Sequence, residues 1–181
     1  MHSRVFQLTK TLKEIDTQIE CVEDSDSIYE MMNGRADYVV ESEDTIENDL
    51  KWLFYGLNGD SLFKEHKTKN GNSYIEIPYS TVQKYIEHWR KTKLENIKKV
   101  LSENLPNVMK YLETGKFKKK TSIGMDFHFI KEAIEDTTSF YFFDTERDYC
   151  IMTEDSAIYD YFETIKKGKS VYVLKSFDYH Y

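Results

Sequence analysis

The sequence is poor in cysteine, proline and glycine, with two, two and seven of these among its 181 residues. Two cysteines are too few for a disulfide framework, and their scarcity suits a reducing compartment. So little proline and glycine excludes collagen-like and linker-dominated chains. No run approaches the roughly 18 consecutive apolar residues of a membrane span, and the first residues lack the apolar core of a secretory signal. We therefore expect a cytoplasmic protein that makes no use of a membrane.

Apolar and aromatic residues are plentiful by contrast, at 40% and 15% of the chain. That content is typical of a folded core and excludes wholesale disorder. At this length we expect a single domain, 1–181, with 1–78 and 79–181 as candidate sub-units. Helical and strand patterns alternate without a long parallel β-α-β rhythm, which predicts an α+β fold. We expect mixed helices, a central β-hairpin and a C-terminal β-β-α-β unit, packed on a small antiparallel sheet.

Apolar residues recur at helical spacing in several segments. They predict helices near 26–33, 43–57, 80–104, 107–114 and 122–136, and one more between residues 153 and 168. Ser42 is expected to cap the second of these helices, and a capping box from Ser80 to Gln83 to open the third. Pro106 is expected to end that third helix because proline breaks a helix interior.

Strand patterns lie between these helices. They predict strands near 3–9, 139–143, 149–153 and 170–174, and leave 36–40 ambiguous between strand and helix. A hairpin is predicted at 61–78, closed by Pro78. Its turn would be Asn70-Gly71, a pair that accepts the two positive φ angles of a type I′ turn.

Charge is distributed unevenly around the net value of −7. Residues 14–60 carry fourteen acidic side chains against only Arg35 and Lys51, and residues 61–131 carry fifteen basic ones against seven acidic. Two interpretations remain open. The opposite charges could pair or be solvated within the fold, or one charged face could be a docking surface that speeds association.

The basic segment supplies a candidate nucleic-acid-binding stripe, for which a solvated outer face is the alternative. Its residues are Lys91, Lys93, Lys98, Lys99, Lys116, Lys118, Lys119 and Lys120. Only four of the 25 cationic residues of the chain are arginine. A sequence-specific DNA reader would be expected to use more arginine, whose planar fork recognises guanine.

No catalytic motif stands out. The five histidines are scattered without a neighbouring cysteine, whereas structural zinc normally shows a local Cys/His pair. Asp24-x-Asp26 begins like a calcium loop, but Ile28 occupies the third ligand position. Gly-rich phosphate loops and the Gly-x-Ser-x-Gly elbow are absent from the sequence. We predict no catalytic residue, metal or cofactor, and leave open a small enzyme whose site comes from distant residues.

Residues 2–8 (HSRVFQL) and 36–40 (ADYVV) resemble stretches of small acidic proteins from phages and mobile elements of AT-rich Gram-positive bacteria. In size, charge and lack of motifs the chain is similar to anti-CRISPR proteins that act on type II-A RNA-guided nucleases. The resemblance covers the first third of the chain and transfers no functional residue. It implies a bacterial host cell as the location, and a protein partner: a CRISPR nuclease or its guide-loaded complex.

Such nucleases hold nucleic acid in basic channels. The acidic segment could enter one as a DNA mimic, and the protein would then inhibit by steric and electrostatic blocking without catalysis. The predicted partner-binding acidic face comprises Glu23, Asp24, Asp26, Glu30, Asp37, Glu41, Glu43, Asp44, Glu47 and Asp49. Nucleic-acid binding through the lysine stripe is the alternative function.

Overall fold

A mixed sheet of seven strands dominates the computed structural model, which describes residues 2–11, 24–57, 62–116, 122–135, 140–144 and 151–180. The strands are β1 (His2–Thr9), β2 (Tyr38–Glu41), β3 (Lys64–Lys67), β4 (Ser73–Pro78), β5 (Phe140–Asp144), β6 (Met152–Thr153) and β7 (Ser170–His180). Their order is β3-β4-β7-β1-β5-β6, and β2 pairs with β7 as well. The pair β1–β5 is parallel and the other described pairs are antiparallel.

The predicted α+β class is therefore confirmed. The sheet is larger than the small antiparallel one expected, because β7 extends over 170–180 instead of 170–174 and pairs with three strands. The ambiguous segment at 36–40 contributes the strand β2. Most of the strand predicted at 149–153 lies outside the described residues, which show only Met152–Thr153.

Five α-helices lie within the described residues. They are α1 (Ser25–Met32), α2 (Ile46–Leu53), α3 (Tyr79–Thr114), α4 (Ile123–Ile134) and α5 (Glu154–Asp160), the last followed by a 3-10 turn at Phe162–Thr164. Oxygen side chains cap three of them: Asp24, Thr45 and Thr153 accept hydrogen bonds from backbone N–H groups three residues later. Such caps satisfy donors that a helix leaves unpaired at its start.

The start of α2 differs from the prediction that Ser42 would cap it. The backbone N–H of Ser42 donates to the carbonyl of Ser176 at 3.2 Å, so Ser42 continues the pairing of β2 with β7. Thr45 takes the capping role three residues later, with its hydroxyl accepting from the N–H of Asn48. The residues between β2 and α2 therefore form a short exposed loop.

The predicted break at Pro106 is wrong, since α3 continues through this residue from Tyr79 to Thr114. The predicted capping box is also displaced, because the helix begins before Ser80. Leu101 and Val108, seven residues apart, lie on the same helix face and are half-buried and buried. One continuous helix keeps both side chains on that face, which offsets the hydrogen bond that the proline cannot donate.

The predicted hairpin is present, but its turn is not the two-residue type I′ turn. Gly71 takes a positive φ of 89°, whereas Asn70 does not. Lys67 pairs with Ser73, and the N–H of Thr68 donates to the carbonyl of Asn72, so the loop has three residues. This arrangement is the usual three-residue hairpin with a left-handed glycine. The register is therefore one residue away from the one that a type I′ turn would impose.

Apolar side chains cover both faces of the sheet. On one face, Val5, Phe143, Phe177 and Tyr179 pack with residues of α1. On the other face, Phe6 stacks on Phe142, which meets Phe162 edge to face. Because both faces are covered, β1 is buried continuously from Ser3 to Thr9, and its polar side chains are buried together with its apolar ones.

The chain divides into two compact units, Met1–Ile86 with Thr138–Tyr181, and Glu87–Thr137. The first holds the sheet, and the second holds most of α3 together with α4. Within the second unit, Lys93 Nζ donates to the carbonyl of Glu135 at 3.1 Å. The predicted single domain and its boundary at 78/79 remain predictions. Within the described ranges, no helix has the length and apolarity needed to cross a membrane.

Candidate binding surface

Four exposed carboxylates lie together at the loop between β2 and α2: Glu41, Glu43, Asp44 and Glu47, called here the acidic surface. Asp44 lines three cavities with volumes of about 290, 350 and 280 Å³. Glu41 lines the first two of these cavities, Glu43 the second and Glu47 the third. The four side chains thus border three adjacent cavities that share Asp44 as a lining residue.

The position of this loop follows from how two strands share one edge of β7. β2 pairs with residues 177–180 of β7, and β4 pairs with residues 170–173. The two strands therefore run end to end along the same edge. Lys175 and Ser176 lie where they meet and line the first cavity. The chain must leave the sheet at this junction, which places the acidic surface there.

A buried polar network anchors the acidic surface from below. Arg4 on β1 donates through Nε to Asp49 of α2, and its Nη1 lies 2.9 Å from Asp178 on β7. The hydroxyl of Ser176 donates to the second oxygen of Asp49 at 2.6 Å. Asp44 reaches the same guanidinium more loosely, at 3.9 Å. These bonds tie α2 to two strands and hold the loop beside them.

Asp49 therefore corrects the prediction that all ten acidic residues lie on the surface, because it is fully buried. It comes one turn after the cap of α2 and points toward the sheet, where Arg4 compensates its charge. Trp52 lies on the same helix, with the Arg4 guanidinium 4.7 Å from its ring centroid. Since Trp52 is half exposed, an aromatic ring borders the charged network.

The other predicted acidic residues that the structure describes are exposed but more dispersed. Asp24, Asp26 and Glu30 lie at or on α1, Asp37 pairs with His180 at 3.2 Å, and Glu23 lies outside the described residues. The N–H groups of residues following Asp24, above all that of Ser27, hold the pKa of its carboxyl below the usual range. Asp26, Glu30 and Asp37 line none of the three cavities.

Neighbouring cations neutralise part of the acidic surface. Lys175 lies 2.9 Å from Glu41, and Lys51 lies 3.1 Å from Glu47, one helical turn away. Glu43 forms no ion pair with any residue that the structure describes. Pairs this exposed contribute little to stability, so the four carboxylates remain able to exchange these partners for others.

The predicted lysine stripe belongs to the second unit. Lys91, Lys98, Lys99 and Lys116 are exposed, whereas Lys93 is half-buried. The remaining three, at 118–120, lie outside the described residues. The stripe is therefore accessible along α3 but interrupted at the residue that bonds to the end of α4.

Sequence reasoning missed a second polar group, which β3, β4 and β7 bring together. His66 Nε2 lies 2.8 Å from one oxygen of Glu76, and the hydroxyl of Ser170 donates to the other at 2.6 Å. Lys64 Nζ lies 3.8 Å from that second oxygen. Alternation within the hairpin would have shown that these side chains share a face, but only the observed register puts Lys64 opposite Glu76.

The pKa of Glu76 depends on the other side chains of this polar group. Burial disfavours its charged form, but hydrogen bonds from Ser170 and His66 and the charge of Lys64 outweigh burial and lower the pKa of Glu76. Across the strand pair, burial raises the pKa of the Tyr172 hydroxyl, and the charge of Glu76 adds to this effect. The group therefore combines a carboxylate, an imidazole and a neutral phenol near neutral pH.

Replacing Glu76 by glutamine should destabilise the fold in a pH-dependent way. Because the folded-state pKa lies below the ordinary value of 4.5, the carboxylate stabilises the fold above that pH and loses this contribution as pH falls through the folded-state pKa. We expect a loss of about 1 kcal/mol, or roughly 2–4 °C in Tm, at pH 7. Thermal unfolding from pH 7 to 3 should show the two curves converging; a constant difference would contradict the coupling.

No protein-family model matches this chain, and no match exists among curated proteins or solved structures. Among the described residues, no three His, Cys, Asp or Glu side chains are grouped as a metal site requires. The function must therefore be inferred from the surfaces and side-chain groups of the chain itself.

Proposed function

We propose that this chain is a binding protein whose acidic surface docks, without any catalysis at that surface, into a basic groove of a macromolecular partner. The observation that carries the proposal is the grouping of Glu41, Glu43, Asp44 and Glu47 around three adjacent cavities. The buried hydrogen bond between Arg4 and Asp49 holds the neighbouring helix α2 to the sheet. Carboxylates on a loop beside a buried hydrogen-bond network lose less backbone entropy on binding than those of a mobile tail. They also accelerate association with a positively charged partner.

The partner that we propose is a guide-loaded type II-A CRISPR nuclease, whose basic channels bind nucleic acid. A rigid acidic surface could occupy such a channel in place of the phosphate backbone. Inhibition would then be steric and electrostatic, and it would weaken as salt screens the charges. The resemblance of the first third of the chain to anti-CRISPR proteins supports this choice of partner.

Size-exclusion chromatography of the protein with the guide-loaded nuclease tests directly whether this nuclease is the partner. Co-elution at low salt that is lost at high salt is the expected result. A shift with DNA alone, and none with the nuclease, would instead favour the lysine stripe. Absence of both shifts would remove the CRISPR nuclease and nucleic acid as partners.

Reversing the charges of Glu43, Asp44 and Glu47 to lysine should weaken partner binding more than about tenfold at low salt. Each new lysine would face the basic groove and repel it. The matched control reverses Glu95, Glu103 and Glu113, three exposed carboxylates on α3, and thus changes net charge equally. Titration calorimetry compares the two variants. Equal affinity of both would show that the acidic surface does not dock.

The exposed lysines of α3 support a second candidate, nucleic-acid binding through the lysine stripe. Its test is retardation of labelled DNA or RNA at low salt by the purified protein. Neutralising Lys118, Lys119 and Lys120 should abolish that retardation. Retention of the shift after neutralisation would assign any binding to another part of the chain.

A further inference from the structure

The polar group around Glu76 forms a side-chain arrangement that suits acid–base chemistry. Lys64, His66, Tyr74 and Glu76 alternate along β3 and β4, so they share one face of the hairpin. The ring of Tyr74 stacks on that of His66, with centroids 5.2 Å apart and planes at 18°. The opposite face of the hairpin carries Glu65 and Ile75, which line the third cavity of the acidic surface. The two sites are thus on different faces.

The hydrogen bond from His66 to Glu76 orients the imidazole. Because a carboxylate accepts, the neutral ring carries its proton on Nε2 and keeps a lone pair on Nδ1. Within the described residues, Nδ1 has no hydrogen-bond partner, and the His66 side chain is 38% exposed. A ring that a carboxylate orients, with one unbonded nitrogen on a partly exposed side chain, is the arrangement of a general base.

The chain supplies this base with no nucleophile of its own among the described residues. The hydroxyl of Ser170 donates to Glu76 and not to His66, so the carboxylate stands between them. In a serine triad the histidine must contact the hydroxyl directly. The nucleophile that His66 activates must therefore come from water or from the substrate.

Lys64 narrows the substrate class. Its side chain is 58% exposed and ends in an ammonium group beside Glu76, and such a point charge is well suited to a phosphate oxygen. RNA offers a phosphate together with an adjacent 2′-hydroxyl nucleophile, whereas DNA lacks that hydroxyl. A general base and one cation are then sufficient for the chemistry, because the substrate attacks its own phosphodiester.

We infer that His66 and Lys64, with Glu76 as a positioning residue, form a site that cleaves RNA by transesterification. His66 Nδ1 takes the proton of a 2′-hydroxyl, and the O2′ electron pair forms a bond to phosphorus. The bond from phosphorus to O5′ breaks, and O5′ leaves with its electron pair and takes a proton from the Lys64 ammonium. The products are a 2′,3′-cyclic phosphate and a 5′-hydroxyl. Water restores the proton of Lys64 and accepts that of His66.

The ionisation of the neighbouring groups agrees with these roles. The lowered pKa of Glu76 keeps it a carboxylate that stabilises the imidazolium formed during attack. The Tyr172 hydroxyl, which is neutral near pH 7 at its ordinary pKa of 10.0 and more so at its raised pKa, adds no second negative charge that would repel phosphate. This activity is independent of the binding function proposed for the acidic surface.

The test is cleavage of a fluorophore- and quencher-labelled single-stranded RNA by the full-length chain in excess EDTA. We expect cleavage of RNA, cyclic phosphate ends on the product, and no cleavage of the same sequence as DNA. His66→Ala should lower the rate at least about 100-fold. His128→Ala, which alters an exposed histidine on α4, is the matched control and should retain the wild-type rate.

Two further variants separate catalysis from folding. Lys64→Ala changes an exposed side chain and should reduce the rate while leaving the circular dichroism spectrum unchanged. Glu76→Gln should shift the acid limb of the pH–rate profile to lower pH, because the imidazolium loses its counter-charge. A purely structural role of Glu76 would not produce this shift.

Lack of RNA cleavage by the wild type, or equal rates for His66→Ala and His128→Ala, would overturn the proposal. Neither result would bear on docking by the acidic surface.

Discussion

Replacing Arg4 by methionine is expected to lower the free energy of unfolding by about 3–5 kcal/mol, the usual cost of leaving a buried charge without its partner. Asp49 is fully buried, and it would keep only the hydrogen bond from Ser176 among those described above. For a chain of this length, the change corresponds to a fall in Tm of roughly 6–20 °C. Thermal and urea unfolding, followed by circular dichroism, measure it.

The matched control for this prediction is Lys51, which lies on α2 two residues after Asp49. Lys51→Met removes the exposed pair with Glu47 and should change stability by less than about 1 kcal/mol. The double variant Arg4→Met, Asp49→Leu should recover most of the loss, since apolar residues can replace a buried ion pair. Equal, small effects of Arg4→Met and Lys51→Met would show that the buried network does not form.

Replacing Pro106 by alanine should stabilise α3 by up to about 3 kcal/mol, the difference between the two residues in a helix interior. The alanine N–H can donate to the carbonyl of Ser102, which the proline leaves unpaired. Native-state hydrogen exchange of amides on both sides of residue 106 measures the gain locally.

Pro78→Ala is the control, because Pro78 ends β4 immediately before α3 begins. Proline is tolerated at the start of a helix, so this change should give no comparable gain in α3. Because proline is tolerated only at the start of a helix, Pro106→Ala also distinguishes one continuous α3 from two separate helices. If a separate helix began at residue 106, the substitution would be nearly neutral, and a change below about 0.5 kcal/mol would contradict a continuous α3.

Several local features were predictable because they depend on neighbouring residues alone. The strand β1, the helices α1 and α4 and the hairpin around Gly71 all form close to where the sequence predicts them. Helix boundaries differ from the predicted ones where a tertiary hydrogen bond competes with a local helix cap. Ser42 is an adequate cap in isolation, but its N–H bonds to β7 and Thr45 replaces it.

The candidate sites were less predictable because they depend on register and on long-range pairing. In the sequence, nothing distinguishes Asp49 from the other acidic residues of its charged segment. Only its contact with Arg4, 45 residues earlier, explains its burial. Glu76 meets Ser170 across 94 residues. Its pairing with Lys64 follows from a three-residue loop, and an Asn-Gly dipeptide is compatible with a two-residue turn as well.

The sequence by itself therefore determined the α+β class, the excess of acid in residues 14–60 and the approximate location of most elements. Composition and short-range periodicity are sufficient for these properties, since they reflect interactions between residues close in the chain. Only the tertiary structure decided which carboxylates border the cavities at Asp44, which one is buried, and which side chains meet at Glu76. Those outcomes depend on the end-to-end pairing of β2 and β4 with β7, and a one-residue change of register would turn each side chain to the opposite face.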